Sequence, residues 1–390
     1  MTDVMVVAGA RTAIGDYGGA FKDIPPTRLG SIAIREALRR AKADPASVGH
    51  VVVGSVIHGE ARDMYMARVA ALDAGVPVGT PCLTVNRLCG SGLQAIVSAA
   101  QHILLGDCST AVAGGAESMS RAAYLLPSGR WGQRMGDAPV VDAMTAALHD
   151  PFGHGHMGVT AENIAAKYGF TREQQDRFAV ESHQRAAKAL EQGTFASQIV
   201  PVELKTKKGV EQYTTDEHVR ADASLENLAK LKPVFKKDGT VTAANASGIN
   251  DAAAAVVLMD SKTAKNHKPM ARLVAYAHAG VEPQLMGLGP IPAVKRVFEK
   301  AGLKPADMDV VESNEAFAVQ AMAVTQDLDL DPAKVNPNGG AVALGHPIGA
   351  TGCILTVKAL YELERIRKRY ALVTMCIGGG QGIAAIFERL

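Results

Sequence analysis

Asn86-Arg-Leu-Cys-Gly-Ser-Gly92 and, 260 positions further on, His346-Pro-Ile-Gly-Ala-Thr-Gly352 are two versions of one turn, and their match decides how the chain is built. At the same offset Ala37-Leu-Arg-Arg-Ala41 falls on Val297-Phe-Glu-Lys-Ala301, and Pro45 falls on Pro305. Val51-Val52 falls on Val311-Glu312, and Ala111–Ala116 on Ala371–Cys376. Identities are few. Small residues nevertheless meet small ones, and apolar runs meet apolar runs, over roughly eighty positions in one register, which marks two copies of one unit.

Each copy alternates short apolar strands with helices. In the first, Val4–Ala8, Val51–Gly54 and Thr110–Gly114 read as buried strands, and Leu29–Lys42 and Leu93–Leu105 as helices with apolar residues three and four apart. In the second, Ala271–Ala279, Val310–Ser313, Tyr370–Cys376 and Ile383–Phe387 read as strands. Val294–Lys300, Phe317–Leu328 and Gly352–Leu363 read as its helices. That alternation predicts layered α/β packing around buried sheets. Between the copies lies a stretch of different character, Ser120 to about Ser247, with the only tryptophan (Trp131) and a helical segment over Thr160–Gln192. It also carries a basic run: Lys205, Lys207, Lys208, Arg220, Lys230, Lys232, Lys236 and Lys237. We read it as an inserted lid whose lysines mostly form a solvated face, with a subset available to an anionic ligand. The chain then divides into 1–119 with 248–270, the insert 120–247, and 271–390.

Composition narrows the classes. The 390 residues carry a net charge of +2, which argues against a nucleic-acid partner. The longest apolar run, Ala252–Met259, is too short to cross a bilayer, and the N-terminus has no basic leader, so a cytoplasmic protein is expected. Five cysteines with no CxxC pair favour neither a disulfide framework nor a structural zinc site. His154 and His156 form an HxH pair, but no third ligand lies near in sequence, so no metal is expected.

Chemistry concentrates in four places. Cys89 precedes Gly-Ser-Gly and an apolar helix, so the helix dipole and free N–H groups are expected to lower its thiol pKa. A buried structural cysteine is the plainer reading. His346, in the turn Gly345-His-Pro-Ile-Gly349, is either a backbone hydrogen-bonder or the base that takes the Cys89 proton. Cys376 ends a strand and enters Gly378-Gly-Gly, either as a small core residue or as a second working sulfur, with the Gly378 N–H free for an oxyanion. Asn314, in Ser313-Asn-Glu-Ala-Phe317, either caps a helix or orients a water or carbonyl.

Taken together, these residues resemble the thiolase family. Leu88-Cys-Gly-Ser-Gly92, Asn314-Glu-Ala-Phe317, Gly345-His-Pro-Ile-Gly349 and Cys376-Ile-Gly-Gly-Gly380 look like its four signatures, in family order and across essentially the whole chain. Asn245–Asp251 and His156-Met157-Gly158 match further family elements. The resemblance implies a thiolase fold: two duplicated βαβαβαββ halves in α/β/α/β/α layers, with a loop domain inserted in the first. It implies reversible Claisen condensation of acetyl-CoA with acyl-CoA to short-chain 3-ketoacyl-CoA, by a ping-pong route with no cofactor beyond the CoA substrates. Cys89 is then the acylated nucleophile, His346 its activator, Cys376 the base for the α-proton, and Asn314 the holder of a water. The N–H groups of Cys89 and Gly378 form the second oxyanion hole. The resemblance also implies a CoA groove lined by His156, Met157, Arg220, Phe235, Ala243, Ser247, Met286 and Phe317. It further implies a homotetramer joined through Leu125–Asp142. Two competing readings are a decarboxylating ketoacyl synthase of the same fold, which usually has histidine where Cys376 stands, and a non-catalytic CoA- or lipid-binding relative.

Overall fold

The computed structural model describes residues 3–207 and 209–390, so Lys208 of the basic run lies outside the described residues. The first copy runs β1 (Val4–Arg11), β2 (Gly15–Asp16), α1 (Pro26–Ala41), β3 (His50–Gly54), α2 (Met66–Asp73), β4 (Cys82–Val85), α3 (Ser91–Leu105) and β5 (Thr110–Ser118). The insert holds β6 (Tyr124–Leu125), β7 (Val141–Asp142), α4 (Ala143–Ala147), α5 (Met157–Tyr168), α6 (Arg172–Glu191), β8 (Val202–Thr206), β9 (Gly209–Tyr213) and α7 (Leu225–Ala229). Strand β10 (Asn250–Asp260) closes the first copy. The second runs β11 (Ala271–Gly280), α8 (Pro290–Ala301), β12 (Val310–Ser313), α9 (Ala318–Asp327), α10 (Ala341–Leu344), α11 (Ile348–Ile366), β13 (Tyr370–Ile377) and β14 (Gln381–Arg389).

The main sheet runs β12-β13-β14-β11-β1-β10-β5-β3-β4, with β2 pairing on β10. This order mirrors itself about the junction of β1 and β11, because β3 corresponds to β12, β5 to β13 and β10 to β14. The halves join there through the pairs Met5–Arg272 and Val6–Ala271. One strand is lost in the duplication. Where β4 lies beside β3, the second copy has the isolated parallel bridge Val311–Val335 beside β12.

Helices α3 and α11 form the middle layer. Helix α11 touches β5 and β10 of one half and β12 and β13 of the other, while α1 and α8 cover the outer faces. The crossing of α3 and α11 is close because both carry glycine at the same repeat position. A Cβ on Gly92 would sit 2.7 Å from the Cys353 nitrogen, and one on Gly352 would collide with the Leu93 nitrogen. The segment Leu88–Leu105 is apolar and long enough to cross a membrane by composition. In the fold its residues Leu93, Ile96 and Val97 are fully buried, each worth about 1.5–3 kcal/mol if it is large and aliphatic.

Two local readings change. The run Ala252–Met259 is the centre of β10, buried on both faces between β1 and β5. The single helix expected over Thr160–Gln192 is two. Gly169 leaves α5 with φ +70°, and Thr171 then starts α6 by accepting from the Gln174 N–H while the Gln174 side chain accepts from the Thr171 N–H.

Candidate active site

The Asn86–Gly92 turn is built locally. The Asn86 side chain accepts the Leu88 N–H at 2.9 Å, and the Ser91 hydroxyl accepts the Arg87 N–H at 2.8 Å while donating to the Leu88 carbonyl at 2.7 Å. These bonds hold Leu88 at φ +45°, an uncommon conformation for a leucine, and set Cys89 one residue before the Gly90 cap of α3. The matching turn of the second copy leaves Gly345 at φ +101° and places His346 ahead of α11. Strand β13 delivers Cys376, and the turn after it delivers Gly378.

All four converge on one cavity of about 550 Å³. Its walls include Cys89, His346, Cys376 and Gly378, together with His156, Met157, Phe235, Ala243, Ser247, Met286 and Phe317 from the expected CoA groove. Two expected residues are not on the wall. Asn314 is fully buried behind His346, and its Nδ2 faces His346 Nε2 at 3.4 Å. Its Oδ1 has no partner, the kind of orphaned acceptor that an ordered water satisfies. Arg220 is exposed at the rim, where it donates to Asp16 Oδ2 at 3.2 Å. Six lysines of the basic run (205, 207, 230, 232, 236 and 237) are exposed. Of the HxH pair, His156 accepts the Gly158 N–H on Nδ1 and stacks on Phe235 with centroids 4.6 Å apart.

The electrostatics of Cys89 differ from the expectation. Its thiol is pushed up to about 11, because burial outweighs the two N–H groups, of Gly378 and of Cys89 itself, that reach the sulfur, and because the Glu117 charge opposes a thiolate. The helix start therefore does not leave a free thiolate. Burial also pushes the Cys376 thiol up, and Cys89 adds to the effect, so a charge on either sulfur disfavours a charge on the other. Burial lowers His346 to about 4, so its imidazole is neutral at neutral pH. The Thr351 hydroxyl donates to the Pro347 carbonyl at 2.9 Å, which leaves its oxygen to accept the His346 Nδ1–H at 2.7 Å. That network assigns the tautomer: Nδ1 carries the proton and Nε2 faces Asn314 and the cavity. A neutral imidazole whose Nε2 is an unprotonated acceptor is suited to draw the proton from a thiol that does not ionise by itself.

Sequence reasoning passed over the supports of these groups. Glu117, at the end of the fully buried β5, accepts the N–H groups of Val56 at 3.1 Å, Ile57 at 3.1 Å and Gly349 at 2.9 Å. It faces no cation, and burial raises its carboxyl to about 8 against those bonds. The signal was available: Glu117 is a single carboxylate ending an otherwise small and apolar strand. Glu315 similarly accepts from Ser182, Asn336 and the Val342 N–H, and so fixes the segment that carries Asn314.

Two thiols and one neutral imidazole around a cleft, with backbone donors at the first sulfur, in a duplicated α/β fold, are an arrangement suited to cysteine-dependent acyl transfer. Residues 4–262 match the family model for the thiolase N-terminal domain and residues 267–389 that for the thiolase C-terminal domain, and the chain belongs to the thiolase family. It is 63% identical to the β-ketothiolase BktB of Cupriavidus necator, over 100% of this chain and 99% of that protein. It is 49% identical to an acetyl-CoA acetyltransferase of the same organism over the whole of both. Among solved structures, human mitochondrial 3-ketoacyl-CoA thiolase in complex with CoA superposes with a TM-score of 0.97 at 44% identity, covering 100% of this chain and 98% of that one. The acetyl-CoA acetyltransferase of Bacillus anthracis superposes with a TM-score of 0.98 at 45% identity, covering 100% and 99%.

Proposed function

We propose that the protein catalyses the reversible condensation of acetyl-CoA with a short acyl-CoA to a 3-ketoacyl-CoA, and the reverse CoA-dependent thiolysis, through acyl-Cys89. The observation that carries this reading is the presence of Cys89, Cys376 and His346 on the walls of one cavity. In the first transfer His346 Nε2 takes the Cys89 proton as sulfur attacks the thioester carbonyl. Charge on that oxygen falls to the N–H groups of Cys89 and Gly378, and CoA leaves as the thiol after the proton returns to its sulfur. In the second, Cys376 gives its thiol proton to His346 Nε2, and the resulting thiolate takes the α-proton of acetyl-CoA. The enolate oxygen is held by a water on Asn314 and by the His346 Nε2–H, and the carbon attacks the acyl-Cys89 carbonyl, releasing the 3-ketoacyl product and a Cys89 sulfur that takes the proton from His346. The CoA chain runs past His156, Met157, Phe235, Ala243 and Ser247 with Arg220 at the rim, and Met286 and Phe317 lie at the acyl end.

The chemistry explains the two high thiol pKa values. Each sulfur ionises only when its partner group or substrate is in place, so the two serve different steps. Cys376 distinguishes the reading from a decarboxylating synthase, and the retained reactive groups distinguish it from a silent binding relative. The same reading carries the three-part division at 1–119 with 248–270, 120–247 and 271–390, breadth toward 3-ketovaleryl-CoA, a role in polyhydroxyalkanoate biosynthesis, and a cytoplasmic location. It also carries a tetramer through Leu125–Asp142, a loop that exposes Leu125, Leu126, Trp131, Met135 and Val140. Such an apolar patch suits a protein partner surface. The test is direct: purified protein with CoA should bleach the absorbance of the magnesium–acetoacetyl-CoA complex, and no loss of absorbance would overturn the proposal. Light scattering at the mass of one chain would remove the tetramer.

A further inference from the structure

Asp16 and His218, on the cavity wall, have no part in the steps above, and they centre a polar cluster. Asp16, on β2, receives three side chains from two separate segments. The insert contributes His218, whose Nδ1–H donates to Asp16 Oδ1, and Arg220, which donates to Oδ2 at 3.2 Å. Strand β10 contributes Asn250, whose Nδ2 donates to Oδ1 at 3.3 Å and to the Gly15 carbonyl at 3.1 Å. Asn250 turns its other end to the catalytic loop, where its Oδ1 accepts the His346 N–H at 2.9 Å.

The contacts leave little slack. A Cβ on Gly345 would collide with the Asn250 amide, so the chain at His346 lies directly against that side chain. A Cβ on Gly248 would come within 2.6 Å of the His218 ring and 2.7 Å of Asn250 Oδ1. Strand β2 is fixed in turn: the Asp16 N–H donates to Glu217 at 2.8 Å, and the buried Arg11–Asp216 pair anchors the neighbouring residue of the insert. Asp16 and His218 both line the cavity.

We propose that Asp16 is a positioning residue that couples occupancy of the groove by a nucleotide thioester to the placement of His346. A ligand that orders His218 and Arg220 orders Asp16, Asp16 orders Asn250, and Asn250 sets the height of the imidazole over Cys89. The chain of bonds has one acceptor at its centre, so its loss is felt at both ends. This rests on the acyl-Cys89 reading, and the test separates the two.

The experiment compares two acetyl donors on the full-length enzyme: acetyl-CoA, and S-acetyl-N-acetylcysteamine, which lacks the nucleotide. Asp16→Asn should raise the KM for acetyl-CoA severalfold and also slow acetylation of Cys89 by the small donor roughly tenfold or more, because a misplaced base costs rate without any contact to the nucleotide. A wild-type rate with the small donor would overturn the coupling and leave Asp16 a groove residue. An unchanged KM for acetyl-CoA with a slowed small donor would overturn it in favour of a role confined to the His346 loop. Should Asp16→Asn fail to fold, His218→Phe removes the groove-side donor and carries the same two readouts, each expected to move in the same direction. Wild-type enzyme that acetyl-CoA does not acetylate at Cys89 would instead sink the thiolase reading itself.

Discussion

The turns at Asn86–Gly92 and His346–Gly352 occupy the same place in the two halves, yet one presents a thiol and the other an imidazole. Both precede a helix of the middle layer, and both helices cross at paired glycines. What differs is the support. The Cys89 turn closes on itself through Asn86 and Ser91. The His346 turn is also closed internally, by Thr351 at its ring, but is held in addition from outside, by Asn250 at its N–H and Glu117 at Gly349. A duplicated fold thus supplies two equivalent turns, and residues at different positions within them, His346 on the place of Asn86 and Cys89 on that of Gly349, together with unequal supports, give them unequal chemistry.

The comparison breaks most sharply at the thiol. Cys89→Ser should abolish acyl-enzyme formation and cut turnover by at least about a thousandfold, since the step has no other nucleophile. Mass spectrometry after incubation with acetyl-CoA checks this, and a fully acetylated variant would refute the assignment. Cys376→Ala tests the other sulfur. It should slow condensation by about 10²–10⁴-fold while Cys89 still takes up the acetyl group, so acyl-enzyme accumulates. Rapid-quench measurement of the acetylated fraction distinguishes the two thiols.

Smaller effects probe the supports. Thr351→Val removes the acceptor of the His346 Nδ1–H and should lower kcat by about ten- to a hundredfold with little change in KM. Because burial holds His346 at about 4, the acid limb of kcat/KM belongs near that value and not near the ordinary histidine range. The rate should fall only as pH drops through it, and steady-state profiles in thiolysis check this. A native limb between about 6 and 7 would mean that burial does not hold His346 at that lowered value.

Glu117→Gln has the smallest expected effect on turnover but a definite sign. Above about pH 8, where the Glu117 carboxyl is ionised, removing its charge should lower the Cys89 pKa from about 11 and speed iodoacetamide alkylation severalfold. Stability shows the linkage. The folded carboxyl titrates near 8, above its unfolded value, so its contribution is complete at acid pH and is lost as pH rises through about 8. The advantage of wild type over Glu117→Gln in thermal melts should therefore shrink between about pH 5 and pH 9. An advantage that grows with pH would reverse the assignment.

By itself the sequence determined the duplication and the α/β alternation, and it singled out Cys89, His346 and Cys376 as candidate groups. Those are written in local pattern: strand and helix periodicity, glycines at turns, and cysteine and histidine in short motifs at one offset. It missed β4 and the strand character of Ala252–Met259, since a short or alanine-rich run has no period to read. Tertiary structure alone decided that Cys89 rests as a thiol, because a helix start lowers a pKa only while water or a counter-charge supports the anion, and here burial outweighs both. It also decided that Asn314 stands behind the wall and Arg220 at the rim, and that Glu117, Thr351, Asn250 and Asp16 hold the working groups. Apart from the Thr351 bond, these are contacts between residues far apart in the chain, and hydrogen bonds made across a fold leave no periodic trace in the sequence that makes them.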